Sequence, residues 1–306
     1  SNASPESALL FCDPSRNEFN MLIQFEHVNL GLERGRFAPR PLRPGELAEV
    51  LTRWQKALEE RGWNALYLEN HDQPRAVCRF GDPDNFWYES ATALATAYFL
   101  QRGTPFIYQG QEIGMLGGAF SSPTDLRDVE SLNALREDAG EEIPPGLAHM
   151  SRDNGRTPMQ WDDSANAGFT DASPWIGVPR SASQINVAAQ LADDSSVLAY
   201  YRALIDARHR IGAATDGGFT RLDMGDPALF FYLREHEGSS ILVATNLSSR
   251  ALTPSPRRGR EAACALPWRL YLANTRGSGV ASENAPTPID PASPMGPWEA
   301  RVYLIH

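Results

Sequence analysis

Lysine is almost missing from this chain. Lys56 stands alone among 28 basic residues, and the rest are arginine. That reads as a genomic codon preference rather than a mechanism. Cysteine is scarce as well: Cys12, Cys78 and Cys264 lie far apart. Such spacing offers neither a disulfide framework nor a metal-ligand set, so reduced thiols in a cytoplasmic protein are expected. No window approaches the ~20 apolar residues needed to cross a bilayer, and no signal-like segment is read near the start. Positive charge is in deficit. The formal net charge is -10 and the pI about 5.1. An acidic chain is poorly suited to grip nucleic acid or an anionic membrane surface. No internal repeat is evident.

What is present is an ordinary globular composition. The 306 residues are 42% hydrophobic and 9% aromatic, which excludes a disordered or collagen-like chain. At ~100–200 residues per domain this is one large domain or two. Ser1-Asn2-Ala3 reads as a remnant of tag removal, and the chain is expected to have been cut from something longer. Asn20 to His27 is a short, mostly apolar run that predicts a buried strand. Leu47, Val50, Leu51, Trp54 and Leu58 recur at helical spacing and predict a helix from Pro44 to Arg61, with Gly62 past its end. Strand, helix and strand follow at 64–69, 86–101 and 104–108. This alternation implies an α/β architecture with a parallel sheet. Residues 110–190 are long, polar and rich in Gly, Pro, Asp and Asn, a stretch expected to carry function. A third helix is expected from Asp193 to Ile211. Beyond Gly212 the texture changes to short β-like runs at 229–233, 240–245, 268–272 and 300–305. These predict an antiparallel C-terminal domain over 213–306, with a Pro-rich surface loop at 285–297.

The chemistry-bearing residues sit at the ends of the predicted strands. Asn70-His71-Asp72-Gln73-Pro74-Arg75 follows the second strand directly. In a parallel α/β barrel such positions face the active site. Taken alone, Asp72 could equally be a capping residue and His71 a satisfied polar group. They do not stand alone. Thr104-Pro105-Phe106-Ile107-Tyr108-Gln109-Gly110-Gln111-Glu112 follows the next helix. Then come Ser151-Arg152-Asp153-Asn154-Gly155-Arg156-Thr157-Pro158-Met159-Gln160-Trp161-Asp162 and Asn166-Ala167-Gly168-Phe169. In order and spacing, from about residue 17 to the C-terminus, this set resembles the α-amylase family, glycoside hydrolase family 13. Within it the set resembles the oligo-1,6-glucosidase and α-glucosidase branch.

The resemblance implies roles. The family cleaves α-glucosidic bonds with retention, through a covalent glycosyl-enzyme intermediate. Asp72 resembles the third family carboxylate, which bonds sugar hydroxyls and stabilises the transition state. His71 resembles its hydroxyl-donating neighbour. Arg156 matches the arginine that clamps the terminal glucose, a task suited to a guanidinium fork. Glu130 resembles an acid near the next sugar. For Glu112 a structural, hydrogen-bonded carboxylate and a substrate contact are both open. Trp161 and Phe169 are expected to pack rather than to stack on sugars. Paired polar groups beside aromatic faces suit a sugar site in any case. No cofactor and no metal is implied in this segment.

A retaining glycosidase needs a nucleophile and an acid/base about 5–5.5 Å apart. The family's motifs for both, and its calcium-binding loop, have no counterpart here. Glu26 lies on the first strand and is not taken as the acid. The chain is therefore expected to be a C-terminal half: strands six to eight of a (β/α)8 barrel over 4–212, then a β-sandwich over 213–306. Alone it should be inactive, and its open barrel edges should promote self-association, with Leu22, Phe106 or their alternates losing their interior neighbours. The terminal domain should hold its own core. Glutamine at 111 and glycine at 155 depart from the family's usual Glu and Ala, at positions expected to lie clear of the site. Two other readings compete: a glucosyl-transferring relative such as a sucrose isomerase, and a non-catalytic binding or scaffold relative. Tyr108-Gln109-Gly110 speaks against a trehalose synthase.

Overall fold

The computed structural model describes residues 3–118, 120–138, 142–257, 264, 266–275 and 290–305. Ser1, Asn2 and the first part of the Pro-rich stretch, 285–289, lie outside them. The opening helix α1 (Pro5–Cys12) starts at Ser4, whose side chain accepts the Ser7 N–H. It lays Ala8 and Cys12 against Leu22, Val50, Trp54 and Leu58.

The predicted strand at 20–27 is reduced to a single parallel bridge, Leu22 to Asn64. Gln24 turns its side chain back to Glu26 N and to His27, and a 3-10 turn begins at His27. The local side-chain bonds take the chain out of the ladder. The amphipathic α2 (Glu46–Leu58) follows and buries the predicted stripe. Its start is fixed by Gly45 at φ +88°, where a Cβ would lie 2.7 Å from the Pro227 carbonyl oxygen. β1 (Ala65–Leu66) lies beside Leu22. After α3 (Ala76–Phe80) and α4 (Trp87–Phe99), β2 (Thr104–Pro105) pairs with β1 in parallel. Three parallel segments thus stand side by side in sequence order, as expected of neighbouring barrel strands. Each is shorter than the sequence runs suggest.

Alanine and threonine dominate α4, and nearly every residue from Tyr88 to Phe99 is buried. A helix covered all round belongs in a core. Its threonines return their hydroxyls to the preceding turn, Thr92 to Tyr88 O and Thr96 to Thr92 O. The polar 110–190 stretch holds three short helices that periodicity missed: α5 (Val129–Asp138), α6 (Pro145–Met150) and α7 (Val187–Leu191). Ser196 caps α8 (Val197–Arg210), which starts four residues later than expected, and α9 (Gly212–Asp216) closes the helical part.

The C-terminal strands are β3 (Gly218–Leu222), β4 (Leu229–His236), β5 (Ser239–Asn246), β6 (Arg269–Ala273) and β7 (Ala300–Ile305). Every expected run is found, and β3 was unforeseen. They form one antiparallel sheet in the order β3-β4-β5-β7-β6. Among the described residues there is no second facing sheet, so the sandwich expectation is replaced by a sheet covered on both faces by other means. Phe230, Tyr232, Ile241, Val243 and Val302 join α4 and α8 in one core. Phe231, Leu233, Leu242 and Tyr303 face Met224, Trp268 and Met295. One face of the sheet therefore shares its core with the barrel part, while the other face holds a core of its own, as expected. The two parts meet in one apolar cluster across residue 212.

Candidate functional site

The turn after β1 is built by its own side chains. Asn70 Oδ1 accepts the Asp72 N–H at 2.8 Å, and Asn70 O accepts Gln73 N. This closes an Asx turn and lifts Asp72 to the surface with its carboxylate 44% exposed. Arg156 reaches it from a second turn. Ser151 opens that turn by accepting the Asp153 N–H. Arg156 Nη2 donates to Asp72 Oδ1 at 2.8 Å, and its Nε donates to the His71 carbonyl at 2.9 Å. His71 Nε2 stands 3.3 Å from the other Asp72 oxygen, with its ring largely exposed. The structure thus brings Asp72, His71 and Arg156 together.

Glu130, at the start of α5, is joined through arginines rather than directly. It lies 3.8 Å from both Arg36 and Arg152. Arg152 is anchored 2.6 Å from the fully buried Asp128 and stands 3.8 Å from Asp72. Arg36 donates to the Asp72 carbonyl at 2.6 Å and to the Met150 carbonyl at 3.2 Å. Burial pushes Asp128 upward, but bonds from Arg152 and Ser131 outweigh it and hold the acid below its usual range. Burial lowers Arg36, opposed by Glu130 and Asp128. The bond to Asp128 raises Arg152. Three guanidinium groups and three carboxylates interleave, a fixed network of donors and acceptors that suits paired recognition of hydroxyls.

Arg36, Asp128 and Arg152 were not singled out from the sequence. Asp128 lies two residues before Glu130 and Arg152 four before Arg156, and a charge alternation there was the available signal. Arg36 sits on the loop between Leu22 and α2 and carried none.

Other expectations are corrected. Gly155 does touch the site: a Cβ there would lie 2.6 Å from Gln73 O and 2.9 Å from Asn70 O. Trp161 and Phe169 are 49% and 50% exposed, not packed. Their loop closes on its own backbone, Trp161 N to Ala167 O, through left-handed Asn166 and Ala167. Glu112 accepts the Gly110 N–H at 2.7 Å, and burial raises its pKa. Its bonding favours the structural reading. Glu26 is committed to Trp54 Nε1 at 2.8 Å and Arg53 at 2.7 Å. All three cysteines are free. No helix among the described residues is long and apolar enough to cross a membrane.

This geometry can be set beside known proteins. Residues 1–217 match the family model for the alpha amylase catalytic domain. The chain is 41% identical over 314 residues to an oligo-1,6-glucosidase of Parageobacillus thermoglucosidasius, covering 99% of this chain and 53% of that protein. It is 42% identical over 315 residues to the trehalose-6-phosphate hydrolase of Escherichia coli, covering 99% and 54%. Its fold superposes on a Bacillus licheniformis trehalose-6-phosphate hydrolase with a TM-score of 0.88 at 31% identity, over 99% of this chain and 54% of that one. An isomaltulose synthase from Erwinia rhapontici, solved with sucrose bound, gives a TM-score of 0.85 at 32% identity, over the same shares. The chain spans about half the length of the relatives it matches. A family-model match over most of the chain, joined to a site at the ends of parallel strands, places this chain in the α-amylase family.

Proposed function

We propose that this chain is the C-terminal half of a retaining α-glucosidase of the oligo-1,6-glucosidase type, acting on short α-linked glucose oligosaccharides in the cytoplasm. The observation that carries this reading is the 2.8 Å pair between Arg156 and Asp72, formed across two turns with His71 beside it. In this reading Asp72 and His71 bond hydroxyls of the glucose at the cleaved bond. Their bonds strengthen as positive charge grows on the ring, which favours the transition state over the substrate. Arg156 holds Asp72 and closes the far end of the pocket, and Glu130 meets the neighbouring sugar. The nucleophile and the acid/base belong to the half this chain does not span. A sucrose-isomerising relative is the second reading, favoured by the likeness to the sucrose-bound isomaltulose synthase.

The test has two arms. The 306-residue chain should not hydrolyse p-nitrophenyl α-glucoside, maltose or isomaltose above background. Turnover that survives repurification and vanishes in Asp72→Ala would sink the half-enzyme reading. In the complete polypeptide, Asp72→Asn should lower kcat by ~10²-fold or more, the scale for removing one transition-state contact. A change in KM alone would make Asp72 an ordinary binding group. Isomaltulose or trehalulose formed from sucrose would select the second reading.

A further inference from the structure

Beneath the exposed Asp72–Arg156 pair lies a second, buried pair. Glu69 and Arg75 bracket the turn that carries His71 and Asp72, and both are almost wholly buried. Arg75 Nη1 donates to Glu69 Oε1 at 3.2 Å and to the Gln109 carbonyl at 2.7 Å. The other Glu69 oxygen accepts the Ala76 N–H, the first residue of α3. The pair thus ties the end of β1, the start of α3 and the segment after β2 to one another.

It also reaches the opposite turn. The Arg75 guanidinium lies over the Tyr108 ring, 5.3 Å from its centroid. Tyr108 Oη donates to the Gly155 carbonyl at 2.8 Å, one residue before Arg156. One buried cation therefore contacts both sides of the site. On one side it fixes the loop that presents Asp72. On the other it fixes, through Tyr108, the turn that presents Arg156. Burial raises Glu69, with Arg75 opposing that rise and the nearby Glu112 adding to it. A pair so placed adds little net stability compared with apolar residues of the same size. Its presence calls for another role.

We propose that Glu69 and Arg75 are positioning residues that set the register of the Asp72 turn against the Arg156 turn. This rests on the reading of Asp72 and Arg156 as the sugar-facing pair, but its test involves no sugar. Glu69→Gln, Arg75→Met, the double variant and Tyr108→Phe are compared in the 306-residue chain. Two quantities are followed: the urea midpoint, and the exchange of the Arg156 Nε–H, which donates to His71 O.

Either charge deletion leaves one buried charge unpaired, so both single variants should lose stability. Both should also speed Arg156 Nε–H exchange roughly tenfold or more. The double variant should recover most of the midpoint yet keep the fast exchange. Tyr108→Phe removes a single, part-buried hydroxyl bond and should fold; it should speed the exchange with little change in midpoint. Recovery of slow exchange in the double variant would reduce the pair to plain electrostatics and overturn the proposal. So would wild-type exchange in Tyr108→Phe, a readout that stands even where the charge deletions do not fold. A chain that behaves as expected here but whose complete form ignores α-glucosides would keep the positioning role and lose the sugar reading.

Discussion

At Gly155 the structure leaves no room for a methyl group. The carbonyl oxygens of Gln73 and Asn70 stand 2.6 and 2.9 Å from where a Cβ would be. Both belong to the backbone of the turn that lifts Asp72, so neither can swing aside as a side chain would. Gly155→Ala should therefore part the two turns. We expect a loss of roughly 1–3 kcal/mol in urea unfolding and the disappearance of the protected Arg156 Nε–H signal. An unchanged signal would mean that the turns have slack. Arg156→Lys tests the other partner. An ammonium cannot hold Asp72 and the His71 carbonyl at once in the fork geometry seen here. In the complete polypeptide it should blur the preference for a terminal glucose, and an unchanged ranking of substrates would remove the clamp role. The motifs placed Asp72, His71 and Arg156 in one site, and the structure joins them. They were silent on Arg36, because its hydrogen bonds are to main-chain oxygens some distance along the chain and a carbonyl partner leaves no mark on residue type. They also missed the role of position 155, since a close approach of two turns is invisible until both are folded.

At the scale of elements, helices with a one-sided apolar stripe, such as α2, were legible, and so were the β-rich runs beyond residue 212. The short helices α5, α6 and α7 were not, because fewer than three turns present too little period to read. The strand expected at 20–27 failed for a different reason, since Gln24 bonds its own neighbourhood. Two element ends make sharper predictions. Glu46 begins α2 and is nearly buried, and Arg40 and Arg43 both bond its carboxylate. The Arg40 bonds, helped by Arg43, pull its pKa from 4.5 to about 2 against the cost of burial. A depressed carboxylate contributes stability above its ordinary pKa and loses it as pH falls through the folded value. The chain should weaken between pH 4.5 and about 2. Glu46→Gln should be less stable at neutral pH by roughly 1–2 kcal/mol and flat across that acid window. A parallel acid slope in the variant would assign the loss to other carboxylates. At the other end, fully buried Arg234 on β4 donates to Leu100 O just past α4, and to the carbonyls of Ala214, Thr215, Gly217 and Gly218. Burial pulls its pKa down to about 10, and the hydrogen bonds named here all end on main-chain oxygens. Arg234→Met should orphan those oxygens and cost at least about 1–3 kcal/mol, the scale for a buried acceptor left without its donor, read as a lowered Tm. A variant within experimental scatter of the parent would show that water replaces the side chain there.

For the molecule as a whole, the decisive feature is that three parallel segments do not make a closed barrel. A complete barrel has no edge and fills its interior with side chains from every strand. Here Ile23 and Phe106 are 47% and 45% exposed, the alternates of the buried Leu22 and its neighbours. Phe19, Leu10 and Phe11 on the α1 side are exposed as well. Helix α1 shields one flank by covering Leu22 with Ala8 and Cys12, but it adds its own apolar residues to the surface. Beyond residue 212 the situation is reversed. The sheet is covered on both faces and shares the core of one face with α4 and α8, so it braces the barrel part rather than standing apart from it. Association should therefore proceed through the barrel side and leave the sheet intact. We expect the weight-average mass from light scattering to rise with concentration, and an apolar dye to bind at low concentration and be displaced as the chains associate. Phe106→Ser should lower both signals, because it removes one of the largest exposed rings next to an open β2 edge. Replacing Trp175, which is exposed on the 161–175 loop, should change neither. A chain that stays monomeric and binds no dye would mean that the open barrel side closes on itself, and a dimer lost in the Trp175 variant instead would move the interface to that loop.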